Sequence, residues 1–390
     1  GRAYNRKRGS MKNISVIGST GSIGRQALEV IGRYPDRFRA VALCANESAE
    51  LLAAQAGAFR PELAVLRSAD KNISLPGVRF ACGEEGFEEA CAYLAADIVL
   101  VAVSGFAGLK AALCALAAGK DVALANKESL VVGGGLVLSL AEKKGARILP
   151  VDSEHSAVWQ CLHFDRKAPF SRILLTASGG ALRDVPIEKL PCVTAKQALC
   201  HPNWKMGAKI TIDCATMLNK GFEVMEAMHL YGAKLSQIEV LVHRESVVHS
   251  MVEFADGAVL AQMGVPSMEL PIQLAFTWPE RLSCDLPPVD FAKLGALHFE
   301  EVDKKRYPCF SLALSCAEKG GTYPCILNAA GEVAVQAFLR GQIKYTQIAE
   351  IIESTLSQSP EGSAESYAAL AETDSLARAR AQTILKGAIA

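Results

Sequence analysis

The sequence lacks an excess of charge of either sign and lacks any long apolar run. Its 41 basic residues balance 41 acidic ones, which gives a formal net charge of zero. That balance does not favour nucleic acid or an anionic membrane as a partner. The chain also has no uninterrupted apolar stretch of the roughly 18 residues that a membrane-spanning helix needs. Half of its residues are apolar and 21% are charged, a composition that suits a soluble globular enzyme.

Closely spaced cysteines are missing too. The twelve cysteines are scattered through apolar segments, and no two of them form a C-x-x-C pair. Scattered thiols are typical of a reducing compartment rather than of a disulfide framework, so we expect a cytoplasmic protein. The opening GRAYNRKRGS, residues 1–10, is basic but has none of the apolar core of a signal peptide. We interpret it as a cloning remnant.

A glycine-rich sequence, GSTGSIG, separates a short apolar strand, Asn13–Ile17, from a helical pattern. Gly18, Gly21 and Gly24 give the spacing G-x-x-G-x-x-G in place of the usual G-x-G-x-x-G. This spacing keeps a tight turn and a helix N-terminus, whose unpaired N–H groups suit a pyrophosphate. Its position between a strand and a helix therefore indicates a nucleotide site.

A second strand, Ala40–Cys44, ends in the sequence ANES, where a dinucleotide-binding fold contacts the adenosine ribose. Glu47 could accept a hydrogen bond from a ribose 2′-hydroxyl and so favour NAD, or it could be a solvated loop acid. Further strands are predicted at Ala64–Leu66, Asp97–Val103 and Asp121–Leu124. This alternation of strands and helices predicts a Rossmann-like, doubly wound α/β domain over residues 11–150.

Polar residues follow the last of these strands in the sequence ANKESLV. Asn126, Lys127 and Glu128 lie where the carboxyl ends of parallel strands face a ligand. Glu128 could instead cap or pair within its own helix.

Two carboxylates, Asp152 and Glu154, directly follow the apolar strand Ile148–Val151. Asp152 and Glu154 are separated by one residue, and in a strand such side chains point to the same face. Their two negative charges therefore repel. Solvent could absorb the repulsion, but the partly apolar sequence AVWQCL follows, and a hard cation is the more natural partner. Oxygen ligands favour Mg²⁺ or Mn²⁺ over zinc.

Two later stretches carry further candidate residues. After a loop that holds His201 and Trp204, the sequence predicts a short strand and then a helix that begins near Asn219, Lys220 and Glu223. Glu223 could supply a third carboxylate, and the asparagine and lysine could hold a phosphate or hydroxyl groups.

Ser178, in a glycine-rich turn after the predicted strand Ile173–Leu175, could form an anion-binding nest. Ordinary structural roles are also possible: a loop position for His201, a core position for Trp204 and a turn position for Ser178.

Eight motifs in order resemble one enzyme family, the 1-deoxy-D-xylulose 5-phosphate reductoisomerases. They are GSTGSIG, ANKESLV, PVDSEH, ASGG, HPNWKMG, ATMLNKG with Phe222-Glu223, ESVVHSMV and LNAAGEVAV. The resemblance extends from Met11 to the C-terminus. The family's enzymes use NADPH and a divalent metal in bacterial non-mevalonate isoprenoid synthesis.

The resemblance implies a role for each motif residue. The implied metal ligands are Asp152, Glu154 and Glu223. The implied cofactor contacts are Gly18, Thr20, Gly21, Ser22, Ile23, Asn46, Asn126 and Glu128. The implied substrate contacts are Lys127, Ser153, Glu154, Ser178, His201, Trp204, Cys214, Asn219, Lys220, Glu223 and Ser246. Trp204 and Met206 would belong to a loop that closes over the substrate, and Lys127, Glu154 and a metal-bound water are the candidates for moving protons.

Three positions depart from the family pattern. Cys214 stands where the family usually has a phosphate-binding serine, and HRES replaces the usual HPQS before and at Ser246. ANES replaces a stretch that often carries a lysine or asparagine near the adenosine phosphate. These departures bear on the phosphate contacts and on the preference for NADP, not on the class of reaction.

The implied reaction rearranges the substrate's carbon skeleton, by retro-aldol and aldol steps or by an α-ketol shift, and then reduces the product with NADPH. Two other functions stay open from the residues alone. A plain NAD(P)-dependent dehydrogenase would need no metal, and a nucleotide-sensing regulator would bind NADPH without consuming it.

An α+β catalytic domain is predicted over residues 151–285, a linker over 286–310 and a small C-terminal helical domain over 311–390. The predicted strands of the middle domain are Ile238–Val242, Val247–Phe254 and Ala258–Met263, with a hairpin at residues 255–257. They could form an open sheet with one face free to pair in a homodimer. Asn328 of LNAAGE is expected to pack or cap rather than to bind a ligand.

Overall fold

The computed structural model describes residues 11–68, 76–204 and 206–389. The predicted cloning remnant, residues 1–10, lies outside the described residues. The chain divides into two compact units. The first unit contains the chain up to Asn126, Ser139–Asp152 and Met268–Cys284, and the second contains Lys127–Leu138, Ser153–Ser267 and Asp285–Ala390. The domain boundaries inferred from the sequence stay predictions.

Twelve strands and fifteen α-helices occur within the described residues. The strands are β1 (Lys12–Ile17), β2 (Phe38–Ala45), β3 (Leu63–Leu66), β4 (Arg79–Cys82), β5 (Ile98–Val101), β6 (Asp121–Leu124), β7 (Ile148–Pro150), β8 (Arg172–Ala177), β9 (Ile238–Val242), β10 (Val248–Glu253), β11 (Val259–Met263) and β12 (Glu300–Glu301). The helices are α1 (Ser22–Arg33), α2 (Ala49–Phe59), α3 (Gly83–Cys91), α4 (Ala107–Ala117), α5 (Glu128–Lys144), α6 (Ser153–Cys161), α7 (Ala195–Ala198), α8 (Ala208–Ala215), α9 (Leu218–Tyr231), α10 (Glu269–Thr277), α11 (Phe291–Leu294), α12 (Pro308–Lys319), α13 (Tyr323–Leu339), α14 (Gln347–Gln358) and α15 (Tyr367–Ile389).

The first unit is built on a seven-stranded parallel sheet with the strand order β4-β3-β2-β1-β5-β6-β7. Strands β3, β5 and β6 are buried along their whole length, as expected for a parallel sheet with helices on both faces. The chain order reverses between β1 and β5, and the crevice at their carboxyl ends is where such folds bind dinucleotides. The predicted Rossmann-like, doubly wound fold is confirmed.

Helix α10 belongs to this first unit although it comes much later in the chain. The ammonium of Lys12 in β1 donates to the carbonyl oxygen of Phe276 at 2.7 Å. Arg33 at the end of α1 pairs with Glu269 at 2.8 Å. These contacts attach the returning segment to the first strand and the first helix, which its local sequence does not predict.

The second unit contains a mixed five-stranded sheet with the order β11-β10-β8-β9-β12. Strands β8 and β9 run parallel, and the other neighbours are antiparallel. The predicted hairpin between β10 and β11 is present, and the Phe254 amide donates to the Ala258 carbonyl at 2.9 Å. The two-residue strand β12 lies within residues 286–310 and was not predicted.

One element of the second unit contradicts the sequence prediction. The segment after Gly207, predicted as a short strand, is the helix α8. Its sequence KITID alternates like a strand, yet Ile212 is fully buried on the inner side of the helix. Lys209 and Asp213, one helical turn apart, pair at 2.6 Å. Tertiary burial therefore outweighs the strand preference of the β-branched residues.

The predicted C-terminal helices are confirmed as α12–α15, and they share a hydrophobic core with α9. This core includes Phe222 from α9, Ala313 from α12, Leu327 from α13 and Ile348 from α14, each fully buried. Helix α9, which carries three predicted site residues, is thereby held on its apolar side. Asn328, also fully buried, bonds to Glu332 one turn further along α13 at 3.2 Å, in keeping with a packing role.

Within the described ranges, no helix is both long and apolar enough to cross a membrane. All twelve cysteines are free thiols.

Candidate active site

The glycine turn, Gly18–Gly24, connects β1 to α1 beside the end of β5. Gly18 has a φ of +93°, and a Cβ atom there would lie 2.6 Å from the carbonyl oxygen of Ala102. Only glycine tolerates both the left-handed backbone and this close approach. Gly21 is the N-cap of α1, and in the described part of the chain no side chain caps this helix and no acidic residue lies in its first turn. The helix start therefore presents N–H groups and positive partial charge to an anion such as a pyrophosphate.

The other predicted cofactor residues lie at strand ends of the same sheet, except for Glu128, which begins α5. Asn46 and Glu47 are exposed directly after β2. Asn126, at the end of β6, is buried, and its side-chain amide donates to the carbonyl oxygens of Val103 at 2.9 Å and Gly105 at 3.1 Å. Asn126 thus holds the loop after β5 in place, a function that the sequence did not suggest.

In the second unit, five predicted site residues meet in one group, the carboxylate–lysine cluster: Lys127, Glu154, Asn219, Lys220 and Glu223. Lys127 donates to Asn219 Oδ1 at 2.5 Å and to Glu223 Oε1 at 3.2 Å. Lys220 bonds to Glu154 at 3.0 Å and also to Glu223. Asn219 donates to Glu223 at 2.5 Å. Helix α9 supplies three of the five side chains from its first two turns.

Four of the five cluster residues are buried and Glu154 is half-buried, so the charges must be balanced locally. The side chains of Glu223, Lys220 and Lys127 are only 1%, 4% and 9% exposed. Among the described residues, one group of three acidic side chains could share a cation, since ligand oxygens of Asp152, Glu154 and Glu223 all lie within 4.8 Å of one another. Three carboxylates and two ammonium groups leave one net negative charge. An all-oxygen donor set with a net negative charge fits Mg²⁺ or Mn²⁺.

Ser178, after β8, bonds to His201 at the start of the predicted loop, with an oxygen–nitrogen distance of 2.8 Å. The other ring nitrogen, Nδ1, accepts from the backbone amides of Asn203 and Trp204 at 3.2 and 3.0 Å. Burial lowers the pKa of His201 to about 4, so the neutral ring donates from Nε2 to Ser178. The Ser178 hydroxyl oxygen also accepts from the Gly180 amide at 3.1 Å. Its own proton then remains available for a ligand oxygen.

Trp204 is partly buried, as is Met206, and Lys205 between them lies outside the described residues. The Trp204 ring meets the His249 ring edge-on, with 6.1 Å between centroids. Burial lowers the pKa of His249 to about 4, so this contact joins an indole and a neutral imidazole. Whether the loop closes over a substrate stays a prediction.

Cys214 lies in α8 rather than at the end of a strand. Burial raises the pKa of its thiol to about 12, so the thiol is protonated. The backbone at Gly180, two residues after Ser178, packs directly on this helix. Gly180 has a φ of +73°, and a Cβ atom there would lie 2.6 Å from the Cys214 carbonyl oxygen. Cys214 and Ser178 therefore lie on neighbouring backbone segments. The contact between Cys214 and the substrate phosphate stays a prediction.

Ser246 is buried and has a φ of +52°, a strained conformation for a non-glycine residue. His243, which the sequence did not single out, stabilises this turn. Its Nε2 accepts from the amides of Val247 and Val248 at 3.3 and 3.1 Å, and its Nδ1 donates to the His298 carbonyl at 2.9 Å. The sequence feature that could have identified His243 is its position as a polar residue directly after the apolar strand β9.

Two further residues were missed, Lys209 and Asp213 of α8, which are largely buried and paired with each other. The wrong strand prediction for this segment hid their helical spacing of four.

The comparisons with known proteins agree with one another. A family model described as 1-deoxy-D-xylulose 5-phosphate reductoisomerase matches residues 14–134, and one described as the C-terminal domain of that enzyme matches residues 148–231. A third, described as the DXP reductoisomerase C-terminal domain, matches residues 263–380.

Similar proteins cover almost the whole chain. The 1-deoxy-D-xylulose 5-phosphate reductoisomerase of Pelotomaculum thermopropionicum is 49% identical over 375 residues, which is 94% of this chain and 97% of that protein. The enzyme of Moorella thermoacetica is 48% identical over 382 residues, 96% of this chain and 99% of that protein.

Solved structures give the same result. The Zymomonas mobilis 1-deoxy-D-xylulose 5-phosphate reductoisomerase in complex with NADPH is 40% identical, with a TM-score of 0.89 over 96% of this chain and 99% of that one. A DOX-P reductoisomerase in complex with NADPH, fosmidomycin and magnesium is 38% identical, with a TM-score of 0.91 over 96% of this chain and 98% of that one. The chain therefore belongs to the 1-deoxy-D-xylulose 5-phosphate reductoisomerase family.

Proposed function

We propose that this chain converts 1-deoxy-D-xylulose 5-phosphate and NADPH into 2-C-methyl-D-erythritol 4-phosphate and NADP. The carboxylate–lysine cluster is the observation that carries the proposal. Together with Asp152, the cluster brings three acidic side chains into one group, which neither a plain dehydrogenase nor a nucleotide-sensing regulator needs. Family membership over nearly the full length supports the same reaction.

Asp152, Glu154 and Glu223 are proposed to hold the divalent cation, because their oxygens already converge. When bound, the cation supplies Lewis-acid stabilisation of negative charge on substrate oxygens, and NADPH supplies the hydride. The side chain of Lys127 is fixed by Asn219 and Glu223. Its ammonium is a candidate proton donor to a substrate oxygen, and Glu154 is the candidate acceptor.

The phosphate end of the substrate is proposed to bind near Ser178, with His201, Cys214, Asn219, Lys220 and Ser246 as further contacts. The Ser178 hydroxyl accepts two hydrogen bonds and has its proton left to donate. Binding energy from a non-reacting phosphate orients the reacting carbons. The glycine turn, with Thr20, Ser22 and Ile23, is proposed to bind the NADPH pyrophosphate at the start of α1.

A homodimer in the cytoplasm is the proposed assembly and location. Strand β11 is an edge of its sheet, and Val259 and Leu260 on it are 46% and 40% exposed. An apolar edge strand pairs readily with a second chain. Twelve free thiols agree with a reducing compartment. Light scattering of the wild type and of Leu260→Lys tests the dimer, since a monomeric wild type would contradict it.

The test of the reaction is NADPH oxidation with the deoxyxylulose phosphate, with and without a chelator, followed by identification of the product. The proposal expects oxidation that stops in excess chelator, returns with Mg²⁺ or Mn²⁺, and yields the branched polyol phosphate. Full turnover by metal-stripped protein, or reduction without rearrangement, would contradict it.

A further inference from the structure

Lys209 occupies a position that helix energetics disfavour. It is the second residue of α8, close to the positive end of the helix dipole, where a cation is unfavourable. Its partner Asp213 lies four residues later, and a cation that precedes the acid is the weaker order for such a pair. Contacts within α8 therefore do not explain a lysine at this position.

The ammonium of Lys209 joins three helices of the second unit. It lies 2.6 Å from Asp213 in α8 and 3.7 Å from Glu128 at the start of α5. It also lies 5.4 Å from the centre of the Phe222 ring in α9. The side chains of Lys209, Asp213 and Glu128 are 20%, 4% and 9% exposed, so solvent screens this arrangement little.

The ammonium stays charged in this place. Burial alone would lower the pKa of Lys209, but the carboxylates of Asp213 and Glu128 raise it above its ordinary value. The ammonium of Lys209 thus interacts with the two buried carboxylates of Asp213 and Glu128.

Both ends of the loop His201–Gly207 are consequently attached to candidate site residues. At its start, His201 bonds to Ser178. Two residues after its end, in α8, Lys209 pairs with Glu128, the chain neighbour of Lys127, whose ammonium bonds to Glu223. The backbone between residues 127 and 128 therefore connects the carboxylate–lysine cluster to the end of the loop.

We propose that Lys209 is a positioning residue that sets the end of the His201–Gly207 loop relative to Lys127 and so raises affinity for the phosphosugar. It acts through Glu128 and Asp213 and does not touch the substrate. The inference rests on the proposed function, because the loop residues are taken to contact that substrate.

The test compares Lys209→Met with the double variant Lys209→Met/Asp213→Asn. The single variant leaves buried carboxylates uncompensated, so both its melting temperature and its affinity should fall. The double variant removes one of those carboxylates and should recover most of the melting temperature. Its KM for the phosphosugar should stay raised about tenfold, which corresponds to ~1.4 kcal/mol, while kcat changes less than KM. Lys196→Met, on the exposed side of α7, is the matched control and should behave as wild type.

Recovery of both melting temperature and KM in the double variant would show a purely structural role and overturn the inference. So would a normal KM in Lys209→Met, or a defect confined to NADPH affinity measured by fluorescence titration. These outcomes differ from failure of the proposed function, in which the wild type itself does not turn over the phosphosugar.

Discussion

The glycine turn of the first unit and the carboxylate–lysine cluster of the second are two different ways to build a binding site. In the glycine turn the backbone supplies the chemistry, and the lack of a side chain at Gly18 is what the geometry requires. In the cluster, buried charged side chains neutralise one another. The first site should therefore be sensitive to added volume, and the second to a change of charge at constant volume.

The largest expected effect tests the charge side of this comparison. Glu223→Gln keeps the shape of the side chain but removes a carboxylate that two lysines and the proposed cation share. We expect kcat/KM to fall at least about a thousandfold, since several kcal/mol of charge stabilisation are lost. NADPH affinity and the circular dichroism spectrum should be unchanged. Glu318→Gln on the exposed side of α12 is the control, and a fall of less than tenfold in Glu223→Gln would contradict the assignment.

The next largest expected effect tests whether the glycine turn is sensitive to added side-chain volume. Gly18→Ala adds one methyl group at a φ of +93° and at 2.6 Å from a backbone oxygen. We expect NADPH affinity to fall roughly a hundredfold, in line with about 3 kcal/mol of strain, while Mn²⁺ binding is retained. Gly119→Ala is the matched control, because Gly119 also has a positive φ of +72° but has open space where the Cβ would lie. Equal losses of NADPH affinity in the two variants would show that strain alone, and not the turn, is responsible.

A smaller effect is expected at Cys214, where a thiol replaces the family's usual serine. A hydroxyl donates a stronger hydrogen bond to a phosphate oxygen than a thiol does. Cys214→Ser should therefore tighten substrate binding by up to about tenfold. Titration of the substrate against both proteins decides the matter: equal or weaker binding by the serine variant would show that Cys214 packs as a small buried hydrophobe.

The smallest effect concerns the exposed Glu47 after β2. A carboxylate near the adenosine repels a 2′-phosphate, and a cation attracts it, so Glu47→Lys should raise the preference for NADPH over NADH a few-fold. The ratio of kcat/KM for the two cofactors measures this preference. An unchanged ratio would mean that Glu47 is a solvated loop acid.

The two sites also differ in how far the sequence predicts them. Strands β3, β5 and β6 of the first unit are buried along their whole length and, like β1, appear as short apolar runs. The Rossmann-like order therefore follows from Asn13–Ile17, Ala64–Leu66 and Asp121–Leu124. The placement of Met268–Cys284 in this unit depends on contacts between residues distant in sequence, such as the hydrogen bond from Lys12 to Phe276. No local sequence pattern predicts it.

The carboxylates of Asp152 and Glu154 could be predicted because they follow an apolar strand, and that of Glu223 from the family motifs, although Glu154 lies in α6 and not at a strand end. The pairing of Lys220 with Glu154 could not be predicted, because it needs α6 and α9 to meet. Helix α8 could not be predicted either, because its alternating sequence is typical of a strand and only the burial of Ile212 in the structure favours a helix. Strand β12 consists of two exposed glutamates, which no strand propensity would select.

The most direct test of the central claim, that Asp152, Glu154 and Glu223 form a metal site, is Mn²⁺ binding measured by electron paramagnetic resonance. Metal-stripped wild type should bind one Mn²⁺ per chain without substrate or NADPH present. Glu223→Gln should lose that binding while it keeps its NADPH affinity, and Gly18→Ala should show the reverse. Tight Mn²⁺ binding by Glu223→Gln, or none by the wild type, would contradict the account.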